Sequence, residues 1–201
     1  MGVVVNLWLF EQINAFARAT PWLHAAARLY AGLGVIVFAA LLLAGWWIAR
    51  RTAVVSRVAA AIAAGGATVI AVTVNQPLVH AVNEARPYTT LPHILVLASR
   101  SPDASFPSDH ATMAGAVAVG LWIVHRRLGI VAAMAAVLMA FTRVYIAAHY
   151  PADVAAGLLL GGVVAALTWL LVRHPLTRLV SSVAGTRLRP ALVAAPHPGL
   201  S

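Results

Sequence analysis

The 201-residue chain is 62% hydrophobic and 9% charged, whereas a soluble domain carries roughly a quarter charged residues, so lipid rather than water is its main solvent. It has no cysteine, which excludes disulfides, thiolate metal sites and iron–sulfur clusters, and its fourteen Lys and Arg residues are all arginine. The net charge of +9 is read as basic loops between apolar spans, and nucleic-acid binding is set aside because no soluble basic face exists to carry it.

In chain order, residues 3–18 read as a short amphipathic helix. Leu7, Phe10, Ile13 and Phe16 share one face and Glu11, Asn14 and Arg18 lie elsewhere. The pattern suits a segment lying in the membrane interface and a core-facing bundle helix equally. Met1–Ala19 does not read as a signal peptide, since it lacks a basic n-region and carries Glu11 and Asn14 within its apolar run. Thr20-Pro21 offers an N-cap with proline at the first helical position. Span one follows at about 29–49, closing on Trp46-Trp47 and Arg50-Arg51, aromatics and arginines typical of a membrane–water boundary. Span two runs about 58–79. Span three, about 110–124, is short, opens inside a polar motif and closes on His125-Arg126-Arg127. Spans four and five cover about 129–147 and 153–172. The basic tail from Arg173 is expected to be loosely ordered beyond Arg187. The expected fold is therefore all-α, a polytopic transmembrane helical bundle of about five spans plus an N-terminal amphipathic helix. One membrane domain covers 1–175 and a basic cytoplasmic tail covers 176–201. No internal repeat and no persuasive strand pattern is present.

Five spans place Arg50, Arg51, Arg57, Arg126, Arg127, Arg173, Arg178, Arg187 and Arg189 on one side, which the positive-inside rule makes cytoplasmic. Segments 80–109 and 142–152 then face outward. Four of the five carboxylates, Glu84, Asp103, Asp109 and Asp153, fall there with most of the histidines, and carboxylates near a bilayer are costly enough to be informative.

Three outward segments carry the chemistry. His149-Tyr150-Pro151-Ala152-Asp153 opens span five. Asp153 lies near enough to accept a hydrogen bond from one imidazole nitrogen of His149, which fixes the tautomer and leaves the other nitrogen nucleophilic without a general base. Pro107-Ser108-Asp109-His110 opens span three, where free backbone N–H groups favour an anion, Ser108 can donate its hydroxyl, and a protonated His110 can serve a leaving oxygen. Arg86 and Arg143 supply planar cationic forks for phosphate oxygens. Phosphoryl transfer is mostly positioning and charge stabilisation, and this set provides both without a metal. Taken singly, each feature has a bland reading: a satisfied His–Asp contact, a helix cap at Ser108, a turn at Asp103, a Glu84–arginine pair. A zinc site built on His93, His110 and His149 is the metal alternative.

The ordered set Arg-Pro, Pro-Ser-x-His and Arg-x5-His-x3-Asp resembles the type 2 phosphatidic acid phosphatase (PAP2) superfamily. "EARPY", "DASFPSDH" and "TRVYIAAHYPAD" are similar, more narrowly, to its bacitracin-resistance type of undecaprenyl-diphosphate phosphatase. The resemblance covers about residues 5–172 and is specific over 84–153. It implies a helical bundle with an outward active site, His149 as nucleophile, Asp153 as its partner, His110 as general acid, and Arg86, Ser108 and Arg143 as phosphate ligands. Thr142 stands where serine is common and keeps the hydroxyl. Val79 stands where the broad family has a lysine, with His80 beside it as a partial substitute. Asp109 replaces a usual glycine and requires protonation or a partner, such as Arg86 or Arg100. The expected activity is hydrolysis of a polyprenyl diphosphate through a phospho-histidine, in a multi-pass protein of the plasma (inner) membrane. Phosphatidic acid, phosphatidylglycerol phosphate or another polyprenyl phosphate is the alternative substrate, and a non-catalytic anionic-lipid transporter or scaffold is the alternative class. No cofactor or metal is expected. The expected partners are membrane lipid and the phosphorylated lipid itself, with oligomeric state left open.

Overall fold

In lipid, backbone polar groups must be satisfied inside each segment, which favours helices. The computed structural model describes residues 2–52 and 54–186, and these form α1 (Gly2–Ala19), a 3-10 turn (Pro21–Leu23), α2 (His24–Arg51), α3 (Val55–Val82), α4 (Pro87–Thr90), α5 (Asp109–Val124), α6 (Arg126–Tyr145) and α7 (Pro151–Ala184), with no strand among the described residues. The all-α membrane bundle expected from the sequence is what is found. Four helices, α2, α3, α6 and α7, are long and apolar enough to cross a membrane.

The remaining expected span is α5. Its 16 residues extend about 24 Å at 1.5 Å per residue, short of a hydrocarbon core of about 30 Å. Burial compensates for this length. Ala111, Ala114, Ala116, Val117 and Leu121 are fully enclosed, and α3, α6 and α7 surround the helix. Glycine sets how closely they approach: Gly157 and Gly161 of α7 lie against the α5 backbone at Ser108 and Thr112, and Gly115 of α5 lies against Leu158. Small residues at such crossings let helix backbones meet in lipid.

Two elements depart from expectation. α7 does not end near 172 but continues through Pro175 to Ala184, so the first part of the expected tail is helical. Buried Val180 packs with Ala49 and Val58, and Leu176 packs against the same cluster, which anchors the extension. Arg187, Arg189 and the rest of the expected loose tail lie outside the described residues. α1 packs on α6 and α7, but with a rotated face. Phe10, Asn14 and Ala17 are buried while Phe16 is 46% exposed. Asn14, read from the sequence as lying off the apolar face, is enclosed because its amide donates to the Leu95 carbonyl (2.8 Å) and accepts from the Leu95 N–H (3.0 Å). Asn6 accepts from the Ala152 N–H (2.8 Å) and the Thr20 and Tyr145 hydroxyls meet at 2.8 Å. α1 therefore runs across one end of the bundle, from the start of α7 to the end of α6.

Candidate active site

At that end, the segment between α3 and α5 meets the turn between α6 and α7. Asn83 caps α3 in the left-handed region (φ 47), a conformation asparagine tolerates. The chain then turns through Glu84, whose carbonyl accepts from the Ser105 N–H (2.7 Å). The α6–α7 turn closes through Ala148 N–H to the Arg143 carbonyl (3.0 Å), with Ala147 at φ 61. A positive φ in a non-glycine residue is a strained choice that often accompanies functional sites.

His149 is 3% exposed. Its Nδ1 lies 2.8 Å from the Ser105 carbonyl oxygen, which can only accept, so Nδ1 carries the proton. Its Nε2 lies 3.3 Å from Arg86 Nη1 and 3.3 Å from Arg143 Nη2, and guanidiniums can only donate. Both sides give the same tautomer, with the Nε2 lone pair aimed between two cations. Burial holds the imidazole below its ordinary range. A hydrogen-bonding carboxylate at Asp153 opposes that shift, and the Arg143 and Arg86 charges reinforce it.

Asp153 is fully buried and stands 3.5 Å from His149 Nδ1, longer than a strong hydrogen bond. The direct His149–Asp153 bond expected from the sequence is thus supplemented by Ser105. The Ser105 hydroxyl donates to Asp153 Oδ2 and its carbonyl takes the imidazole proton. Asp153 Oδ2 also accepts from the Tyr150 N–H (2.8 Å), closing a capping box on α7.

Arg86 is the N-cap of α4 and is aimed by its Nε–H to the Asp103 carbonyl (2.8 Å) and by Nη1 to the Ala148 carbonyl (3.2 Å). The Asp103 carboxylate accepts from the Ser101 hydroxyl (2.5 Å), as a turn residue would. Ser108 is the N-cap of α5, yet its side chain makes no cap bond. Its buried hydroxyl has no partner, and neither has the buried Nε–H of Arg143. Buried donors left unmet are uncommon and costly, and the Arg143 guanidinium carries one of them beside His149 Nε2. His110 and Arg143 both line a cavity of about 270 Å³ with Arg28, Gly32, Ser99 and Ile146.

The supporting residues fall differently. Asp109 accepts from the Asn75 amide (2.7 Å) and the Gln76 amide (2.8 Å), so its partners are two neutral donors on α3 and not the expected Arg86 or Arg100. Thr142 spends its hydroxyl on the Leu138 carbonyl (2.7 Å) of its own helix and brings nothing to a phosphate. His80 is exposed on α3 and makes no hydrogen bond among the described residues, and the neighbouring Val79 is buried. Glu84 contributes its carbonyl and makes no ion pair among the described residues. No three His, Asp or Glu side chains among the described residues gather as a metal site, so His93, His110 and His149 do not form the alternative zinc set. Ser105 and Asn75 were not among the residues picked from the sequence. Ser105 lies inside the quoted "DASFPSDH", its one available signal, whereas Asn75 and Gln76 are polar residues within the apolar α3, an anomaly that was open to notice.

Residues 58–175 match the PAP2 superfamily. The chain is 30% identical over 188 residues to YbjG of Escherichia coli strain K12, covering 89% of each. It is 33% identical over 94 residues to an undecaprenyl-diphosphatase of Sulfolobus acidocaldarius and spans about half (46%) of that relative's length. Among solved structures, Aquifex aeolicus LpxE superposes with a TM-score of 0.62 at 26% identity, over 83% of this chain and 95% of that one.

Proposed function

The chain belongs to the PAP2 superfamily of membrane phosphatases, and from that premise we propose that it removes the terminal phosphate of undecaprenyl or a similar polyprenyl diphosphate on the extracytoplasmic face, recycling the carrier lipid of cell-wall synthesis. The observation that carries this reading is the His149 Nε2 lone pair between the Arg86 and Arg143 guanidiniums. The name of the Sulfolobus relative supports the diphosphate.

In this mechanism the terminal phosphoryl group lies among Arg86, Arg143 and the Ser108 hydroxyl, whose unmet donors its oxygens satisfy. Nε2 attacks phosphorus, a P–N bond forms, and the bond to the bridging oxygen breaks. His110 gives that oxygen its proton, and the lipid monophosphate leaves. Water then attacks the phospho-histidine, giving its proton to His110. The P–N bond breaks and inorganic phosphate departs, restoring His149. Asp153 and Ser105 hold the imidazole proton at Nδ1 throughout.

The test is phosphate release from undecaprenyl diphosphate and from phosphatidic acid by purified protein, with EDTA present. The expected outcome is metal-independent turnover that favours the diphosphate. His149→Ala is expected to abolish release while the protein elutes and melts like wild type. Wild-type turnover by that variant removes the nucleophile assignment, and absence of a labelled phosphoryl-protein in the wild type removes the covalent route.

A further inference from the structure

We infer that Arg28 on α2 binds the second phosphate of a lipid diphosphate and so sets the preference for diphosphates over monophosphates, an inference that rests on the reaction proposed above. Arg28 is the one Arg, Asp or Glu between Pro21 and Ala49 in a span of otherwise apolar character. A charge in such a helix is costly unless it meets water, a partner or a ligand. It makes no hydrogen bond or ion pair among the described residues and is exposed. Yet it lines the cavity of about 270 Å³ that also holds His110 and Arg143.

Helical spacing places Ala31 and Gly32 on the same face of α2, and both line that cavity. Their small size keeps it open, since a Cβ built on Gly32 would meet nothing within 4 Å. Ser99, from the segment before α5, faces it as well. Between α2 and α6 lies a second hollow of about 270 Å³, this one apolar, with Leu23, Ala26, Ala27, Tyr30, Leu138 and Phe141 in its wall. Arg143 reaches His149 Nε2 and lines, with His110, the same cavity as Arg28, so a terminal phosphoryl group at His149 directs the second phosphate toward Arg28. A monophosphate ester engages Arg86, Arg143 and Ser108 and then passes directly to its tail, leaving Arg28 without an anion. The guanidinium fork suits the two free oxygens of the second phosphate.

The experiment measures kcat/KM for undecaprenyl diphosphate and undecaprenyl monophosphate with wild type, Arg28→Gln, Arg28→Lys and Gly32→Leu, and reads the ratio of the two. The expected result is a ratio at least tenfold lower in Arg28→Gln, only partly kept in Arg28→Lys, which retains the charge but not the fork, and lowered in Gly32→Leu, whose added atoms enter the cavity. A wild-type preference that survives in Arg28→Gln overturns this inference alone, as does an equal loss on both substrates, which marks a general lipid anchor. A wild-type ratio retained by Gly32→Leu also counts against it. A wild-type protein with no diphosphate preference overturns this inference together with the diphosphate reading.

Discussion

Ser105 gives its carbonyl oxygen to the His149 Nδ1–H and its hydroxyl to the buried Asp153 carboxylate. Ser105→Ala keeps the first bond and removes the second. The Asp153 Oδ2 then keeps the Tyr150 N–H and the 3.5 Å approach of His149 Nδ1, while Oδ1 already lacks a partner. Losing a donor to a buried carboxylate costs about 1–3 kcal/mol, or roughly five- to 150-fold in kcat if it acts on the transition state. The expected outcome is a kcat loss of that size with KM changed less than about threefold; a KM effect alone places Ser105 in substrate binding instead. The pH profile tests the same imidazole. Its nucleophilic form is neutral, and burial lowers its pKa from 6.5. The neutral form, and hence phosphoryl-protein formation, therefore persists as pH falls through 6.5 and fails only below it. The stability contribution has the same sign: the unfolded histidine takes a proton near 6.5 that the folded one refuses, so stability is lost below that value. In single-turnover measurements an acid limb at or above 6.5 contradicts the geometry. Arg86, Ser108, His110, Arg143, His149 and Asp153 were legible as candidates because they fall in short polar motifs at the ends of apolar spans, where charged groups are informative. Ser105 was not, because half of its contribution is a main-chain carbonyl, which any residue has.

At the scale of elements, the position of His149 depends on how closely α7 lies against α5. The Ser108 N–H donates to the Asp153 carbonyl (3.1 Å), which ties the start of one helix to the start of the other. A Cβ on Gly161 would stand 1.9 Å from the Thr112 carbonyl oxygen, and one on Gly157 would stand 2.7 Å from that of Ser108. Backbone cannot yield as a side chain would, and overpacking of this kind costs about 1–3 kcal/mol or more. Gly65 on α3 is the contrast, since a Cβ there meets nothing and alanine gains about 0.5–1 kcal/mol over glycine within a helix. Gly161→Ala is expected to lower the thermal midpoint in detergent and reduce turnover, while Gly65→Ala raises the midpoint and leaves turnover alone. Movement of both in one direction contradicts the packing account. The helices themselves were readable from hydropathy, but the face that α1 buries was not. Periodicity put Asn14 off the apolar face, whereas two hydrogen bonds to the Leu95 backbone make its burial favourable. The end of α7 was missed for a related reason. Arg173 and Pro175 suggested a boundary, and contacts with distant Ala49 and Val58 carry the helix past it.

Across the whole molecule, charge is divided by end. Ala49, Val58, Val124 and Val180 pack together, which gathers Arg50, Arg51, Arg57, Arg126, Arg127, Arg173 and Arg178 at the end remote from His149, with no carboxylate among them. The site end holds Arg18, Arg28, Arg86, Arg100 and Arg143 against Glu11, Glu84, Asp103, Asp109 and Asp153, so the formal charges are seven positive at one end and zero at the other. Arginine in short loops resists translocation while carboxylates contribute little, so the remote end is expected in the cytoplasm. The lack of cysteine permits a clean measurement. Ser99→Cys introduces one thiol at the cavity beside His110, and Ser56→Cys introduces one next to Arg57, where it shares a hollow with Trp169 and Arg173. Both positions are exposed, and neither substitution alters an arginine. A membrane-impermeant maleimide applied to intact cells is expected to label Ser99→Cys at once and Ser56→Cys only after permeabilisation. The reverse pattern turns the site toward the cytosol. A lipid diphosphate would then have to be cleaved before it crossed the bilayer, and a role in recycling the carrier after its use outside would no longer fit the molecule.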